Sequence, residues 1–495
     1  MSDQTIIDHL QGRHVVGTYP LLRDETCWFL AVDFDKRSWM DDIGVFVETC
    51  RDVGVPTAVE RSRSGNGAHV WFFFTAPVAA GIARKMGCYL ITEAMARRHQ
   101  LSMESYDRLF PSQDTMPRGG FGNLIVLPLQ HEARPQNNTV FLDAQFNPHP
   151  DQWAYLAGID RIGTATIERI ATEATRNGQV IGVRSADLGD NEENSAPWTR
   201  PPSGRTQRRE VLGQLPPSVR AVLGQRVFVD KTALPSVVLN QIKRLAAFQN
   251  PEFYKKQSMR LSTVLTPRVI ACAEEFPEHI ALPRGCLADL EGLLHGYGVA
   301  LVVEDQRIAG DPMGVDFDGQ LTAVQEAAAN ALLAHDIGVF VATPGIGKTV
   351  VGTYLVAQRA RSTLILVHRQ PLLDQWVAQL SMFLGIDAKT IGRIGGGKRK
   401  PNGHLDVAML QSVVRGDAVN DIEVPDRSDR HPTTARRASS DHRNAARTCP
   451  LHHRFQGPNR TTAVCAPLDC PGDAIPRCWR CAPDADSGSL SGARG

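Results

Sequence analysis

The chain has 495 residues, of which 42% are hydrophobic and 22% charged, and this composition excludes fibrous, collagen-like and wholly disordered proteins. No apolar run reaches the roughly 18 residues of a membrane span, and the polar N-terminus has no signal core, so a cytoplasmic protein is expected. Lys and Arg number 54 against 53 Asp and Glu, so any nucleic-acid surface has to come from local clustering.

The predicted elements divide the chain into five segments. The first has short strands with helical patterns between them, which indicates an α+β or α/β domain. The second loses periodicity and is rich in turn residues, as linkers are, and the third is an accessory region. The fourth alternates strands and helices in the order of a parallel α/β sheet, and the fifth has too few apolar residues to become ordered. The segments are residues 1–165, 166–210, 211–318, 319–422 and 423–495.

Four apolar runs and one long helical pattern define the first segment. Short runs rich in β-branched and aromatic residues predict strands, and apolar residues at helical spacing predict the helix. The strands are expected at Cys27–Val32, Val70–Phe74, Leu124–Leu127 and Thr139–Leu142, and the helix at Ala79–Arg98.

Two aspartates end the first of these strands. Asp33 and Asp35 close the run Phe29–Asp35, and side chains two residues apart on a strand share a face, with Cα atoms roughly 6.5 Å apart. Both carboxylates can therefore reach one divalent cation or a pair of cations. A bound cation removes the repulsion between the two carboxylates. A simple strand-end turn is the alternative interpretation.

A glycine-rich loop precedes the second strand, within Ser62–Trp71. A flexible backbone with hydroxyl and guanidinium groups suits a phosphate, and a histidine at the start of the strand can donate a hydrogen bond to it. The residues of this predicted phosphate site are Arg63, Ser64, Gly65, Gly67 and His69. The alternative is a hairpin turn with a structural histidine, in which Arg61 and Arg63 form only an exposed basic turn.

The fourth segment contains an apolar run at Gly338–Val341, a glycine turn at Ala342–Thr349 and an amphipathic pattern at Val350–Arg359. Strand, glycine turn, Lys-Thr and helix are the context of a phosphate-binding loop, whose backbone N–H groups approach phosphate oxygens. The lysine is expected to contact the β- and γ-phosphates of ATP and the threonine to hold Mg²⁺. The predicted ATP ligands are Gly345, Gly347, Lys348 and Thr349.

Further polar residues flank this loop. The amide of Gln325 can read adenine with two hydrogen bonds, although a solvated helix glutamine is the alternative. Two buried runs, Thr363–Val367 and Leu405–Met409, are each followed by polar residues. The polar residues at these strand ends are His368, Arg369, Gln411 and Ser412.

Together these patterns resemble superfamily 2 helicases of the DEAD/DEAH type over about residues 319–415. The resemblance implies a RecA-like P-loop domain that binds ATP with Mg²⁺ and contacts nucleic acid through its strand-end residues. The family's next motif is Asp-Glu-x-His, which holds Mg²⁺ and polarises the attacking water, but it does not follow Ser412. Without it and the second helicase lobe, we expect an incomplete domain of doubtful ATPase activity. A frameshift or truncation would explain the tail at 423–495, which is expected to be disordered.

The first segment resembles the archaeo-eukaryotic primase superfamily, with Asp-x-Asp, then Ser…Gly-x-Gly-x-His, then an acid before a Leu-Ile-x-Leu-Pro strand. The stretches "FLAVDFD", "ERSRSGNGAHVWFFF" and "SYDRLFPSQDTMPRGGFGNLIVLPLQ" resemble the primase domain of TOTE conflict systems, which carry a superfamily 2 helicase behind the primase. The resemblance implies an α+β primase palm with an RRM-like catalytic core. It also implies DNA as single-stranded template or primer–template, nucleoside triphosphates as substrates, a nuclease partner and a role in phage defence.

The resemblance also assigns roles to individual residues. Asp33, Asp35 and a third acid would bind two Mg²⁺ or Mn²⁺ ions, and Ser64 and His69 would contact the triphosphate. Three aspartates compete for the role of third acid. Asp107 fits the superfamily order and is favoured, with Asp143 and Asp114 as alternatives.

The favoured function is therefore nucleotidyl transfer by a DNA primase-polymerase fused to an ATP-binding helicase module. The alternatives are a non-synthesising, ATP-binding nucleic-acid sensor or scaffold, and a non-functional truncated remnant. In the accessory region, the cations of residues 241–262, among them Lys243, Lys256 and Arg260, are expected near nucleic acid, and aromatic residues such as Phe253 in the core.

Overall fold

The structure is a computed structural model, which describes residues 2–35, 37–176, 211, 214–415, 418–419 and 462–465. The chain divides into two compact units. The first contains residues 1–219, 230–280 and 289–301, and the second contains residues 220–229, 281–288 and 302–495. In the parts of the chain that the structure describes, no helix has both the length and the apolar character needed to cross a membrane.

The N-terminal part of the first unit is built on a five-stranded antiparallel sheet with strand order β5-β2-β4-β3-β7, and β1 pairs separately with β6. The strands are β1 (Gly17–Thr18), β2 (Thr26–Phe34), β3 (Ala58–Arg61), β4 (Ala68–Ala79), β5 (Leu109–Phe110), β6 (Ile125–Val126) and β7 (Phe141–Leu142). The helices are α1 (Asp3–Leu10), α2 (Trp39–Asp52), α3 (Ala80–Arg97), α4 (Gln152–Ala157) and α5 (Thr164–Arg176). The predicted strands and the predicted helix are all present, with shifted ends.

Residues of β2 alternate between two apolar clusters, one on each face of this sheet. Leu30 and Val32 belong to the larger cluster, which includes Phe46 of α2 and Leu90 of α3. Ala31 belongs to the smaller cluster on the other face. This alternation follows from the period of two in a strand, and it also places Asp33 on the face opposite α2 and α3.

The region between residues 218 and 305 contains short strands and three helices. The strands are β8 (Ser218–Leu223), β9 (Val227–Asp230), β10 (Ala247–Gln249), β11 (Val269–Ala271), β12 (Glu274–Glu275), β13 (His279–Leu282) and β14 (Ala300–Asp305), and the helices are α6 (Ser236–Leu245), α7 (Pro251–Ser258) and α8 (Leu287–Gly296). Phe253 is buried, which confirms its prediction as a core residue.

Three cations of this region have acidic partners within the protein, and their predicted proximity to nucleic acid stays a prediction. Lys243 contacts Glu275 and the carbonyl oxygen of His99. Lys256 lies 2.8 Å from a carboxylate oxygen of Glu252, and Arg260 forms an ion pair of 2.7 Å with Glu25. Three of the predicted nucleic-acid contacts are thus engaged with acidic side chains.

The second unit contains a sheet with strand order β17-β16-β18-β15-β21, in which only β17 is antiparallel to its neighbour. The strands are β15 (Thr363–Val367), β16 (Gly392–Gly395), β17 (Lys398–Lys400), β18 (Leu405–Met409), β19 (Val414–Arg415), β20 (Ala418–Val419) and β21 (Thr462–Cys465). The helices are α9 (Ala323–Leu333), α10 (Lys348–Arg359), α11 (Gln370–Leu384) and α12 (Leu410–Val413). The parallel sheet predicted for this segment is confirmed.

One predicted strand is absent. Gly338–Val341 has no strand conformation, and the side chain of Val341 is 72% exposed. Both edges of β15 are already hydrogen-bonded, to β18 and to β21. The apolar run therefore cannot pair with β15 through backbone hydrogen bonds. Within the predicted disordered tail, Thr462–Cys465 is a strand, and the rest of the tail lies outside the described residues, as does most of the linker.

Candidate functional site

The acid pair lies at the end of β2, where Asp33 and Asp35 share one cationic partner. Nη1 of Arg108 donates to Oδ2 of Asp33 at 3.1 Å and also to Oδ2 of Asp35. Burial raises the pKa of Asp33 above its ordinary value, although the charges of His69 and Arg108 act in the opposite direction. The two carboxylates therefore converge on a single nitrogen atom.

The glycine-rich loop packs against the strand end that carries these acids. A Cβ atom at Gly67 would lie 2.4 Å from the carbonyl oxygen of Phe34 and 2.9 Å from Cα of Asp35. Gly65 has a φ of 73°, in the left-handed region that glycine adopts without strain. Gly67 thus lets the backbone of the loop contact the strand end that carries the acid pair.

His69 lies between two carboxylates on neighbouring strands. It is opposite Glu60 in the pairing of β3 with β4 and opposite Asp33 in the pairing of β2 with β4. Its Nδ1 lies 3.0 Å from Oε2 of Glu60, and its Nε2 lies 3.8 Å from Oδ1 of Asp33. Burial lowers the pKa of His69, but the hydrogen bond and charge of Glu60, together with Asp33, outweigh this effect and raise it.

The remaining loop residues are exposed or turned outward. The hydroxyl of Ser64 accepts from the backbone N–H of Asn66 at 3.2 Å, as in a local turn. Arg63 is exposed and lies 3.7 Å from Glu132. Arg61 instead donates to the carbonyl oxygen of Phe146 at 3.1 Å, so its charge is held within the fold.

The three candidates for a third acid have other partners. Oδ1 of Asp107 accepts from the backbone N–H of Arg268 at 2.5 Å, and burial raises the pKa of Asp107 to about 6. Asp114 forms ion pairs with Arg84 at 3.1 Å and with Arg268 at 3.2 Å. Asp143 accepts from the backbone N–H groups of two residues of its own turn, which lowers its pKa.

In the structure these three acids therefore have partners other than the acid pair, and the third metal ligand stays a prediction. Among the residues that the structure describes, no group of three or more His, Cys, Asp and Glu side chains could hold a metal ion. The residue after Asp107, Arg108, lies across from Asp33, whose backbone N–H donates to the Arg108 carbonyl oxygen at 3.0 Å. Asp33 and Asp35 alone still fit Mg²⁺, which binds through one or two carboxylates with water and substrate phosphates.

The second candidate site is the loop before α10. Gly345 and Gly347 have φ values of 89° and 81°, which allow the tight turn into the helix. Nζ of Lys348 donates to the carbonyl oxygens of Ala342 at 2.7 Å and Thr343 at 3.1 Å. Thr349 follows in the first turn of α10, so the predicted ATP ligands lie together on one loop and helix start.

Gln325 connects α9 to this loop. Its side-chain oxygen accepts from the backbone N–H of Thr322 at 2.9 Å, and its Nε2 donates to the carbonyl oxygen of Ile346 at 2.8 Å. A Cβ atom at Gly347 would lie only 2.6 Å from that Nε2. The amide predicted to read adenine is thus bonded to the backbone at both of its polar atoms, which does not support the alternative of a solvated helix glutamine, and its contact with adenine stays a prediction.

The predicted nucleic-acid residues lie at one edge of the parallel sheet. Val367 and Met409 are register partners at the ends of β15 and β18, so the residues that follow them leave the sheet at the same edge. Nε2 of Gln411 donates to the carbonyl oxygen of His368 at 3.1 Å. Arg369 and Gln411 are exposed, and Ser412 is half-buried.

Two residues of the first site had no signal strong enough to be singled out from the sequence. Arg108 is the neighbour of Asp107 in the sequence. Which of the two side chains reaches the acid pair depends on which residue lies opposite Asp33, and the sequence does not show this. Glu60 begins the "ERSRSGNGAH" stretch, but its role depends on the cross-strand pairing with His69. Once β3 and β4 are paired, the register places Glu60 and His69 on one face of the sheet.

Comparisons with known proteins agree with this two-part organisation. A family model described as "TOTE conflict system, Archaeo-Eukaryotic Primase domain" matches residues 1–170, and one described as "Type III restriction enzyme, res subunit" matches residues 318–437. No curated protein matches the chain.

Two crystal structures of UvsW from bacteriophage T4 are similar to part of the chain. The first, titled as a helicase, is 13% identical, covers 40% of this chain and 76% of its own, and has a TM-score of 0.30. The second is 12% identical, covers 40% of this chain and 43% of its own, and also has a TM-score of 0.30. These scores do not define the fold of this chain. From the family models, we conclude that the chain joins an archaeo-eukaryotic primase domain of the TOTE type, over residues 1–170, to a helicase-family domain of the res-subunit type.

Proposed function

We propose that the primase domain extends a nucleic-acid strand from nucleoside triphosphates, with DNA as template and Mg²⁺ or Mn²⁺ held by Asp33 and Asp35. The observation that supports this most is the convergence of these carboxylates on one atom, with His69 and the glycine loop beside them. We further propose that the sheet carrying them, with α2 and α3 on one face, is an RRM-like palm.

Each group of the site has a distinct task in this proposal. The divalent cations would lower the pKa of the attacking 3′-hydroxyl and neutralise the pyrophosphate leaving group. Ser64 and the loop backbone would bind the triphosphate, and His69 would donate to it from Nε2. Asp33 and Asp35 would supply the hard oxygen ligands, while Asp107 remains with Arg268.

Primer extension with and without the acid pair tests this proposal. The chain is incubated with a primed single-stranded template, Mn²⁺ or Mg²⁺, and ribo- or deoxynucleoside triphosphates. The double substitution Asp33→Asn with Asp35→Asn preserves side-chain volume. It should abolish product, because the amides cannot hold the cations. Asp160→Asn with Glu168→Gln, which changes two exposed acids, should leave extension unchanged. Retained extension in the first double variant would refute the site.

For the helicase-family domain, we propose binding of ATP with Mg²⁺ through Lys348 and Thr349, with contacts to nucleic acid at the edge that carries Arg369 and Gln411. Asp-Glu-x-His does not follow Ser412, which favours ATP binding without turnover. A second candidate for the whole chain keeps this binding but makes no product: an ATP-binding nucleic-acid sensor without synthesis, in an anti-phage conflict system. Extension by the unchanged chain separates the candidates, because a sensor makes no product.

A further inference from the structure

A buried carboxylate stands behind the histidine of the proposed nucleotide site. Only 2% of the Glu60 side chain is exposed, and burying a carboxylate is costly unless hydrogen bonds compensate it. Oε2 of Glu60 lies 3.0 Å from Nδ1 of His69 and accepts from Nε1 of Trp71, also at 3.0 Å. Glu60 thus uses one oxygen for two ring nitrogens of β4.

The neighbours of Glu60 determine how the imidazole is presented. The indole N–H can only donate, so it fixes the carboxylate from one side. The carboxylate in turn accepts from Nδ1–H of the imidazole, and in the imidazolium form Nε2, which faces Asp33 at 3.8 Å, carries the second N–H. Trp71 itself packs against Phe29 and Phe73. The hydrogen bonds that link Trp71, Glu60 and His69 are therefore anchored in the apolar cluster on that face.

We propose that Glu60 is a positioning residue, which acts through His69 by holding its ring so that Nε2 faces the triphosphate of the incoming nucleotide. This inference rests on the proposed nucleotide site of the primase domain. Hydrogen-bond partners that orient a functional imidazole typically change affinity or activity about 10- to 100-fold when they are removed. Glu60 is expected to act on nucleotide affinity, because it lies behind the ring and away from the acid pair.

A double-mutant cycle on nucleotide binding tests the proposal. The affinity for dGTP and for GTP, each with Mn²⁺, is measured by calorimetry in full-length chains that carry Lys348→Ala, so that the second site does not bind. The four chains are this parent, Glu60→Gln, His69→Ala and the double variant. Thr92→Val serves as the control, because it also removes a buried hydrogen bond, between Thr92 and Tyr106, on α3.

Glu60→Gln should weaken binding about 10-fold in the parent and should have no further effect when His69 is already alanine, because it acts through that ring. Thr92→Val should bind like the parent. The proposal is overturned if Glu60→Gln binds like the parent, if its effect is the same in both backgrounds, or if the parent binds neither nucleotide. A cycle that behaves as expected, in a wild-type chain that extends no primer, would refute synthesis but not the role of Glu60.

Discussion

At the scale of single residues, Gly67 is the position in the site where an added side chain has the least room. The atoms that a methyl group would meet belong to the backbone of Phe34 and Asp35, so relief requires the loop and the strand end to separate. We expect Gly67→Ala to lower the free energy of unfolding by about 1–3 kcal/mol and to reduce primer extension about 100-fold, since misplacement by an ångström has that effect. Urea denaturation and the extension assay measure the two effects.

Gly44 provides the matched control for this substitution. It lies within α2, and a Cβ atom at this position would have no neighbouring atom within 4 Å. Replacing a helical glycine by alanine stabilises by about 1 kcal/mol. Gly44→Ala should therefore be at least as stable as the wild type and equally active. If Gly67→Ala behaves in the same way, the close contact between loop and strand is not required.

Asp107 makes stability depend on pH. Burial raises its pKa from 3.8 to about 6, so its contribution is fully present below pH 3.8 and is lost as the pH rises through about 6. Asp107→Asn removes this loss and keeps an oxygen for the Arg268 N–H. Relative to wild type, the variant should therefore be more stable at pH 7.5 than at pH 4.5. Urea titrations at both pH values measure the difference, and a constant difference would contradict the assignment.

Local patterns were sufficient for Asp33, Asp35 and His69, because each lies at the end of a strand that its own residues predict. They were not sufficient for Glu60 and Arg108, whose positions depend on pairing between strands distant in the sequence. The order of motifs favours Asp107 as the third acid, but it does not specify which of two adjacent side chains, Asp107 or Arg108, faces the acid pair.

At the scale of secondary-structure elements, β15 and the run Gly338–Val341 have similar apolar character but different surroundings. All five residues of β15 are buried, with a hydrogen-bonded strand on each side, whereas Val339 and Val341 are 46% and 72% exposed. Apolar periodicity predicts that a segment can form a strand, but a ladder also needs a free neighbour. The sequence therefore predicted a strand correctly at β15 and wrongly at Gly338–Val341.

Hydrogen exchange can measure this difference. Amides of β15 should exchange slowly, because they open only with the sheet, and those of residues 338–342 should exchange rapidly. Mass spectrometry of peptides that cover each segment gives both rates in one experiment. Equal protection of the two segments would show that the apolar run joins a sheet in solution.

At the scale of the whole molecule, the second unit should bind ATP and hydrolyse it slowly. Its loop holds Lys348 on backbone carbonyls, a position that the phosphates can take over, but the carboxylates of Asp-Glu-x-His do not follow. We expect little phosphate release in a coupled assay, with or without single-stranded DNA. Robust hydrolysis stimulated by DNA would contradict this expectation.

Binding without turnover is visible as stabilisation. ATP at about 100 times its Kd should stabilise the unit that binds it by about 2.7 kcal/mol, measured as a rise in Tm. Lys348→Ala should abolish the rise, whereas Lys389→Ala, at an exposed lysine of the same unit, should retain it. A rise that survives in Lys348→Ala would place the nucleotide elsewhere.

The arginine shared by Asp33 and Asp35 occupies the carboxylate oxygens that the proposed cations would take. The guanidinium of Arg108 contacts both carboxylates and offsets one of their two negative charges. A cation that takes both carboxylates, as proposed, must displace Nη1 of that guanidinium and free its N–H donors. Loading the ion would then release a phosphate-binding group at the moment when a triphosphate arrives, so that occupancy by one ligand prepares the pocket for the other.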